Sequence, residues 1–343
     1  MSNRFHVRPF LPAVVLAVGI LVIAMAFDRP GELAQVANLV RAERGYGAGY
    51  FEIQPPVWPR RYADAAGYVL TLDRPATRLV SNNWSADEFA YSVMRPEHVV
   101  GVSESAYERR ISNVYRLAER YRPSVATSAE VILRLDPDLI LTTTRGTTDI
   151  HLVLQEAGLP LFRMFTMFTT LEEVADTIRL TGYLTGRDRE AELQYEAFWK
   201  AIEDARLRKP PGVAAPRILG FAGRYSYGSE TLFHDVIVAV GGINVGAENG
   251  LRGYDPISTE MVLRWDPEWI VGGADLGQAD QVRRRIRTDP AIALTTAARE
   301  GQILVFDHSV FLPMSPYTAR LVNALSEALY PPKPGEPEQG AAR

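Results

Sequence analysis

Ser128-Ala129-Glu130-Val131-Ile132-Leu133-Arg134-Leu135-Asp136-Pro137-Asp138-Leu139-Ile140-Leu141 returns 130 residues later. The second copy reads Ser258-Thr259-Glu260-Met261-Val262-Leu263-Arg264-Trp265-Asp266-Pro267-Glu268-Trp269-Ile270-Val271. Seven of fourteen positions are identical: Ser, Glu, Leu, Arg, Asp, Pro and Ile. In each copy a short capped helix should run to Asp-Pro, because a proline disfavours helix in the residue before it, and a buried strand follows. Gly158-Leu159-Pro160-Leu161-Phe162 and Gly301-Gln302-Ile303-Leu304-Val305 extend the match more weakly. Repetition of this kind implies two copies of one supersecondary plan.

Outward from the repeat, short apolar strands alternate with helical patterns. Arg78-Leu79-Val80-Ser81, Val99-Val100-Gly101-Val102, Leu139-Ile140-Leu141 and Leu159 to Phe165 read as strands. After Asn82-Asn83, Ser85 and Glu88 have the spacing of a capping box, and Leu171 opens a helix to about Leu184. Arg217 to Phe221, Trp269 to Gly272 and Gln302 to Phe306 continue the strand pattern, and Tyr317 to Leu329 is the last helix. Such alternation predicts α/β lobes with mostly parallel sheets flanked by helices. Arg187 to Arg208 contains neither Pro nor Gly and reads as one connecting helix of about 33 Å, ended by Lys209-Pro210-Pro211-Gly212. The expected organisation is a signal peptide or membrane anchor over 1–27 and a Gly- and Pro-broken spacer over 28–65. An N-terminal lobe over 66–186, a connecting helix over 187–209, a C-terminal lobe over 210–330 and a disordered tail over 331–343 follow.

Arg4 and Arg8 precede an uncharged stretch from Pro9 to Phe27. A basic start before an apolar run is the export pattern, and Ala24-Met25-Ala26 offers a small-x-small cleavage site. The run is also long enough to span a bilayer uncleaved. Either way the rest of the chain belongs outside the cytoplasm. The absence of cysteine removes disulfides, iron–sulfur clusters, thiolate zinc sites and the lipid-bearing cysteine of a lipoprotein. A formal charge of −4 gives no reason to expect nucleic acid.

The order of Arg78 to Ser81, Val99 to Val102, the two Glu-to-Asp-Pro segments and the long middle helix resembles the helical-backbone periplasmic binding proteins. These serve ABC importers of iron-siderophores, vitamin B12 and haem. The resemblance covers about residues 66–330. It implies a ligand cleft between two lobes and a single-chain receptor, monomeric and not an enzyme, delivering its cargo to a permease dimer with its ATPase. It also implies that Glu130 and Glu260, one on each lobe, engage arginines of the permease. A pseudo-symmetric receptor would then present two like charges to a two-fold partner. Helix capping is the plainer reading: Thr127 and Glu130 have capping-box spacing, whereas Ile257 stands three before Glu260.

In open α/β sheets ligands sit beyond the carboxyl ends of the strands. Candidates there are Asn82, Asn83, Trp84, Ser105, Tyr107, Thr143, Thr144 and Arg145 in the first lobe. The second lobe contributes Arg224, Tyr225, Tyr227, Arg252, Tyr254, His308 and Phe311. Arginines suit anionic oxygen ligands and tyrosines supply apolar area with a hydroxyl, which favours an anionic ferric siderophore. Haem, with Tyr107, Tyr225, Tyr227 or His308 as axial ligand, and a corrinoid against Trp84 remain open. No resident cofactor or bare metal site is expected, since His98, His151, His234 and His308 lack ligand spacing. Gly45-Tyr46-Gly47-Ala48-Gly49 follows no strand, and no nucleophile elbow, P-loop or metalloprotease motif occurs. A membrane-tethered sensor with the same fold is the remaining alternative.

Overall fold

The structure is a computed structural model that describes residues 57–119, 128–143, 148–165 and 167–331. Its first lobe contains β1 (Arg60–Ala63), β2 (Val69–Leu72), β3 (Leu79–Ser81), α1 (Trp84–Val93), β4 (Val99–Gly101) and α2 (Tyr115–Ala118). It continues through α3 (Ala129–Leu135), β5 (Leu139–Thr143), α4 (Thr148–Glu156), β6 (Leu161–Met164) and α5 (Leu171–Thr185). Helix α6 (Asp188–Leu207) is the connector. The second lobe opens with β7 (Arg217–Ala222), β8 (Tyr225–Tyr227), α7 (Leu232–Ala239), β9 (Ile243–Asn244), α8 (Val245–Glu248) and β10 (Tyr254–Pro256). It closes with α9 (Thr259–Trp265), β11 (Trp269–Ala274), α10 (Ala279–Arg287), α11 (Thr296–Arg299), β12 (Ile303–Asp307), α12 (His308–Phe311) and α13 (Thr318–Leu329).

The repeat is a repeat of topology. Strands β4-β3-β5-β6 form a parallel sheet in that order. Strands β9-β7-β11-β12 pair in parallel in the corresponding order. Leu79 lies opposite Leu139 and Ile218 opposite Trp269, so the registers correspond as well. The second lobe differs by adding antiparallel β8 and β10 along the edge of β7.

Two of the shared residues are accounted for by helix ends. Ser128 and Ser258 are the N-caps of α3 and α9, accepting from the amides of Val131 and Met261. Asp136 and Asp266 end those helices with φ of 46° and 42°, a left-handed backbone that short polar side chains tolerate better than bulky ones. The Arg78 guanidinium donates to the carbonyls of Leu135 (2.5 Å) and Asp136 (3.0 Å). Arg217 does the same to Trp265 (3.0 Å) and Asp266 (2.8 Å). A cation thus meets the last carbonyls, where the helix dipole favours it.

Each sheet has an outer and an inner face. On the outer face of the first, Val80, Ile132, Ile140 and Leu161 pack together. Their counterparts Leu219, Val262, Ile270 and Ile303 do so in the second. The inner faces meet in one larger core. It runs from Leu79, Phe89 and Phe162 through Phe198 and Ile202 of α6 to Phe233, Val271 and Val322. The two lobes therefore share apolar packing beyond the connector.

Some expectations are corrected. The spacer gives way to folded chain earlier than residue 65, since β1 pairs with β2 from Arg60 onward. Buried Arg60 also holds Asp188 at 2.8 Å. Ser85 is not a helix cap; Asn83, extended at φ −150°, takes that place and accepts from Ser85 N. Glu130 follows the cap Ser128 by two residues rather than forming a box with Thr127, and Glu260 stands identically behind Ser258. Thr127, the export segment, the glycine run at 45–49 and the tail beyond 331 lie outside the described residues. Among the described residues no helix is long and apolar enough to cross a membrane.

Candidate ligand cleft

The carboxyl ends of both sheets converge. Arg110, beyond β4, reaches Asp275, beyond β11, at 3.3 Å. Asn113 Nδ2 donates to the Ser309 carbonyl beyond β12 at 2.9 Å. Ser85, beyond β3, donates to the Met314 carbonyl at 2.5 Å. These contacts define a face between the lobes at the position expected for a ligand in open α/β sheets.

On the second lobe this face carries Tyr254 and Tyr227, backed by the buried rings of Phe233 and Phe311. Tyr254 stands opposite Tyr227 in the β10–β8 register, with ring centroids 5.4 Å apart. Tyr227 then packs against Phe233 at 4.9 Å and Phe311 at 5.7 Å. Tyr227 meets Tyr254 and Phe311 edge to face, a favourable geometry at such separations. Phe311 and His308 both lie over Gly273. A Cβ there would come within 2.7 Å of each ring, so a side chain would push this wall outward. His308 Nδ1 is 3.2 Å from Asp275 Oδ1. Nδ1 is the ring nitrogen turned to that carboxylate, and Nε2 is the one directed away from it. Burial, with Tyr254 adjacent, pushes the Tyr227 hydroxyl well above the usual phenol range. Tyr227 therefore contributes a neutral ring rather than a phenolate.

The first lobe supplies Trp84, whose indole nitrogen donates to Glu88 at 3.1 Å. Asn83 is committed to capping α1. Tyr107 ends a turn beyond β4 and packs against the main core. Arg145 lies outside the described residues. Arg224 is exposed in the turn between β7 and β8, and Arg252 is exposed and paired with Glu230. Tyr225 is exposed at 52%. Of the sequence candidates, Tyr227, Tyr254, His308 and Phe311 are thus brought into one patch.

Sequence reasoning missed Glu88, Asp87, Asn113 and Asp275. Asp87 is fully buried, accepting from Ser81 and Ser103 (2.5 Å). Burial raises its carboxyl from 3.8 to about 7, against the lowering effect of those hydroxyls. Burial also raises Glu88. Adjacent acids at the start of a helix are ordinary in sequence, and only their depth sets these apart. A separate depression of about 770 Å³ lies beside α6, lined by Leu171, Trp199, Ile202, Lys209, Asp235 and Val238 among others. No sequence candidate lines it.

The sequence pattern of the family described as periplasmic binding protein matches residues 79–310, more than half of the chain. The chain belongs to the periplasmic binding protein family. A cobalamin-binding protein of Halobacterium salinarum is 28% identical over 277 residues, covering 73% of this chain and 71% of the relative. The haem-binding protein RhuT of Roseiflexus is 26% identical in its solved apo form. Its TM-score is 0.62, with 74% of this chain and 98% of that one covered. An uncharacterised ABC transporter substrate-binding lipoprotein of Bacillus subtilis is 20% identical, covering 80% and 87%. This periplasmic binding protein therefore has binding proteins, not enzymes, as its relatives, and its two-lobed α/β architecture is theirs.

Proposed function

We propose that this periplasmic binding protein is the extracytoplasmic receptor of an ABC importer and captures a metal tetrapyrrole, a corrinoid or haem. The observation that carries the ligand class is the Tyr254–Tyr227 pair, backed by the buried Phe311 ring and flanked by His308. A broad planar macrocycle gains most from a broad apolar aromatic surface. The relatives named for cobalamin and haem support the same class. The anionic siderophore reading rested on three arginines. Arg252 is neutralised by Glu230, and Arg224 stands in an exposed turn, so that reading takes second place. The receptor works as a monomer, exported or tethered by its N-terminal segment, and docks on a permease dimer through Glu130 and Glu260. Both glutamates are exposed at equivalent positions. Fluorescence titration with cyanocobalamin, haemin, a ferric catecholate and a ferric hydroxamate tests the ligand class. Saturable quenching by cyanocobalamin or haemin at micromolar concentration or below is expected. Saturation by a ferric siderophore alone would overturn it.

A further inference from the structure

One carboxylate of the first lobe ties the two lobes together where the cleft walls begin. Glu88 is wholly buried. Its Oε1 accepts from Trp84 Nε1 (3.1 Å), Asn113 N (3.0 Å) and Asn113 Nδ2 (2.9 Å), and its Oε2 accepts from Ser315 Oγ (2.5 Å). Ser315 belongs to the second lobe, in the segment between α12 and α13. That stretch and the helix before it are held twice more from the first lobe, by Ser85 Oγ on the Met314 carbonyl and by Asn113 Nδ2 on the Ser309 carbonyl within α12. Arg320 closes the circuit by donating to Asn113 Oδ1 at 2.7 Å. The segment so held begins just after His308 and carries Phe311, while Trp84 stands on the other side.

We propose that Glu88 is a positioning residue: it clamps the 309–315 segment to the first lobe, sets the aperture of the cleft and fixes the Trp84 ring as one of its walls. The clamp goes beyond the receptor reading, because it acts in the ligand-free protein whatever the cargo. A buried carboxylate with four donors holds its geometry tightly, since losing any donor leaves a charge in a low-dielectric site. The Arg110–Asp275 pair is exposed and much weaker, and does not substitute for it.

The chain has no cysteine, so cysteines replacing Glu104 and Gln278 take spin labels uniquely, one on each lobe. Interlobe distances are then measured by pulsed electron resonance on the full chain. A narrow distribution is expected for the otherwise unchanged protein and for Glu88→Gln, whose amide can still accept from Trp84 and Asn113. Glu88→Ala should broaden the distribution and shift it by several ångströms. If Glu88→Ala does not fold, the pair Ser85→Ala and Ser315→Ala removes two cross-lobe bonds and leaves Glu88 with Trp84 and Asn113. That pair should broaden it in the same sense. A distribution from folded Glu88→Ala, or from the serine pair, that superimposes on the unchanged protein's overturns the clamp. Failure of the chain to bind haemin or cyanocobalamin bears on the ligand class alone and leaves this result standing.

Discussion

Asp87 and Glu88 are neighbours with opposite loyalties. Asp87 binds within its own lobe, joining Ser81 at the end of β3 to Ser103 just beyond β4, while Glu88 turns to Asn113 and the second lobe. Asp87 remains protonated to about pH 7 in the folded chain but ionises near 3.8 when exposed. Its contribution to stability is fully present below the lower value and lost as pH rises through the upper one. The slope for one such group approaches about 1.4 kcal/mol per pH unit inside that window. The thermal midpoint of the unaltered chain should therefore fall relative to that of Asp87→Asn between about pH 5 and pH 7.5. Parallel melting profiles for the two proteins would show that Asp87 is not the source. None of this was legible in the sequence, where Ser85-Ala86-Asp87-Glu88 reads as the polar opening of a helix. What buried Glu88 pairs with depends on a serine 227 positions away.

At the scale of elements, the repeat was legible because helix ends make local demands. A serine to cap, an aspartate that tolerates a left-handed turn and a proline after it leave the same trace twice. The two mostly parallel sheets followed from that trace. The added β8 and β10 did not, because Tyr225-Ser226-Tyr227 and Tyr254-Asp255-Pro256 are too short to show a period. Those two strands carry much of the aromatic wall. The repeat also places Glu130 and Glu260 at the same position of equivalent helices, both exposed, and neither is needed as a cap. Reversing both charges, by Glu130→Lys together with Glu260→Lys, should lower uptake by about tenfold or more while ligand affinity stays unchanged. Uptake at the normal rate would remove these two glutamates from the docking surface.

For the whole molecule, two lobes joined by one helix were expected, and a shared core was not. Hydrophobic periodicity says which face of an element is buried but not which lobe covers it. Phe198 and Ile202 of the connector lie in the same core as Phe89 of the first lobe and Phe233 of the second. The cleft thus opens over a continuous base, with Glu88 and its donors as the polar tie above it. Of the arginines expected to select an anion, Arg224 is exposed and Arg252 is paired with Glu230, while the aromatic rings converge. The central claim is that this converged surface receives a metal tetrapyrrole, and calorimetric titration of haemin and cyanocobalamin into the unaltered chain and Tyr254→Ala tests it most directly. Tyr254 is 44% exposed, so its truncation should leave the fold intact. One of the two ligands should bind the unaltered chain, with a loss of about tenfold in affinity for Tyr254→Ala, the scale of one aromatic contact. Equal affinity of both proteins, or no binding of either ligand, would contradict the assignment.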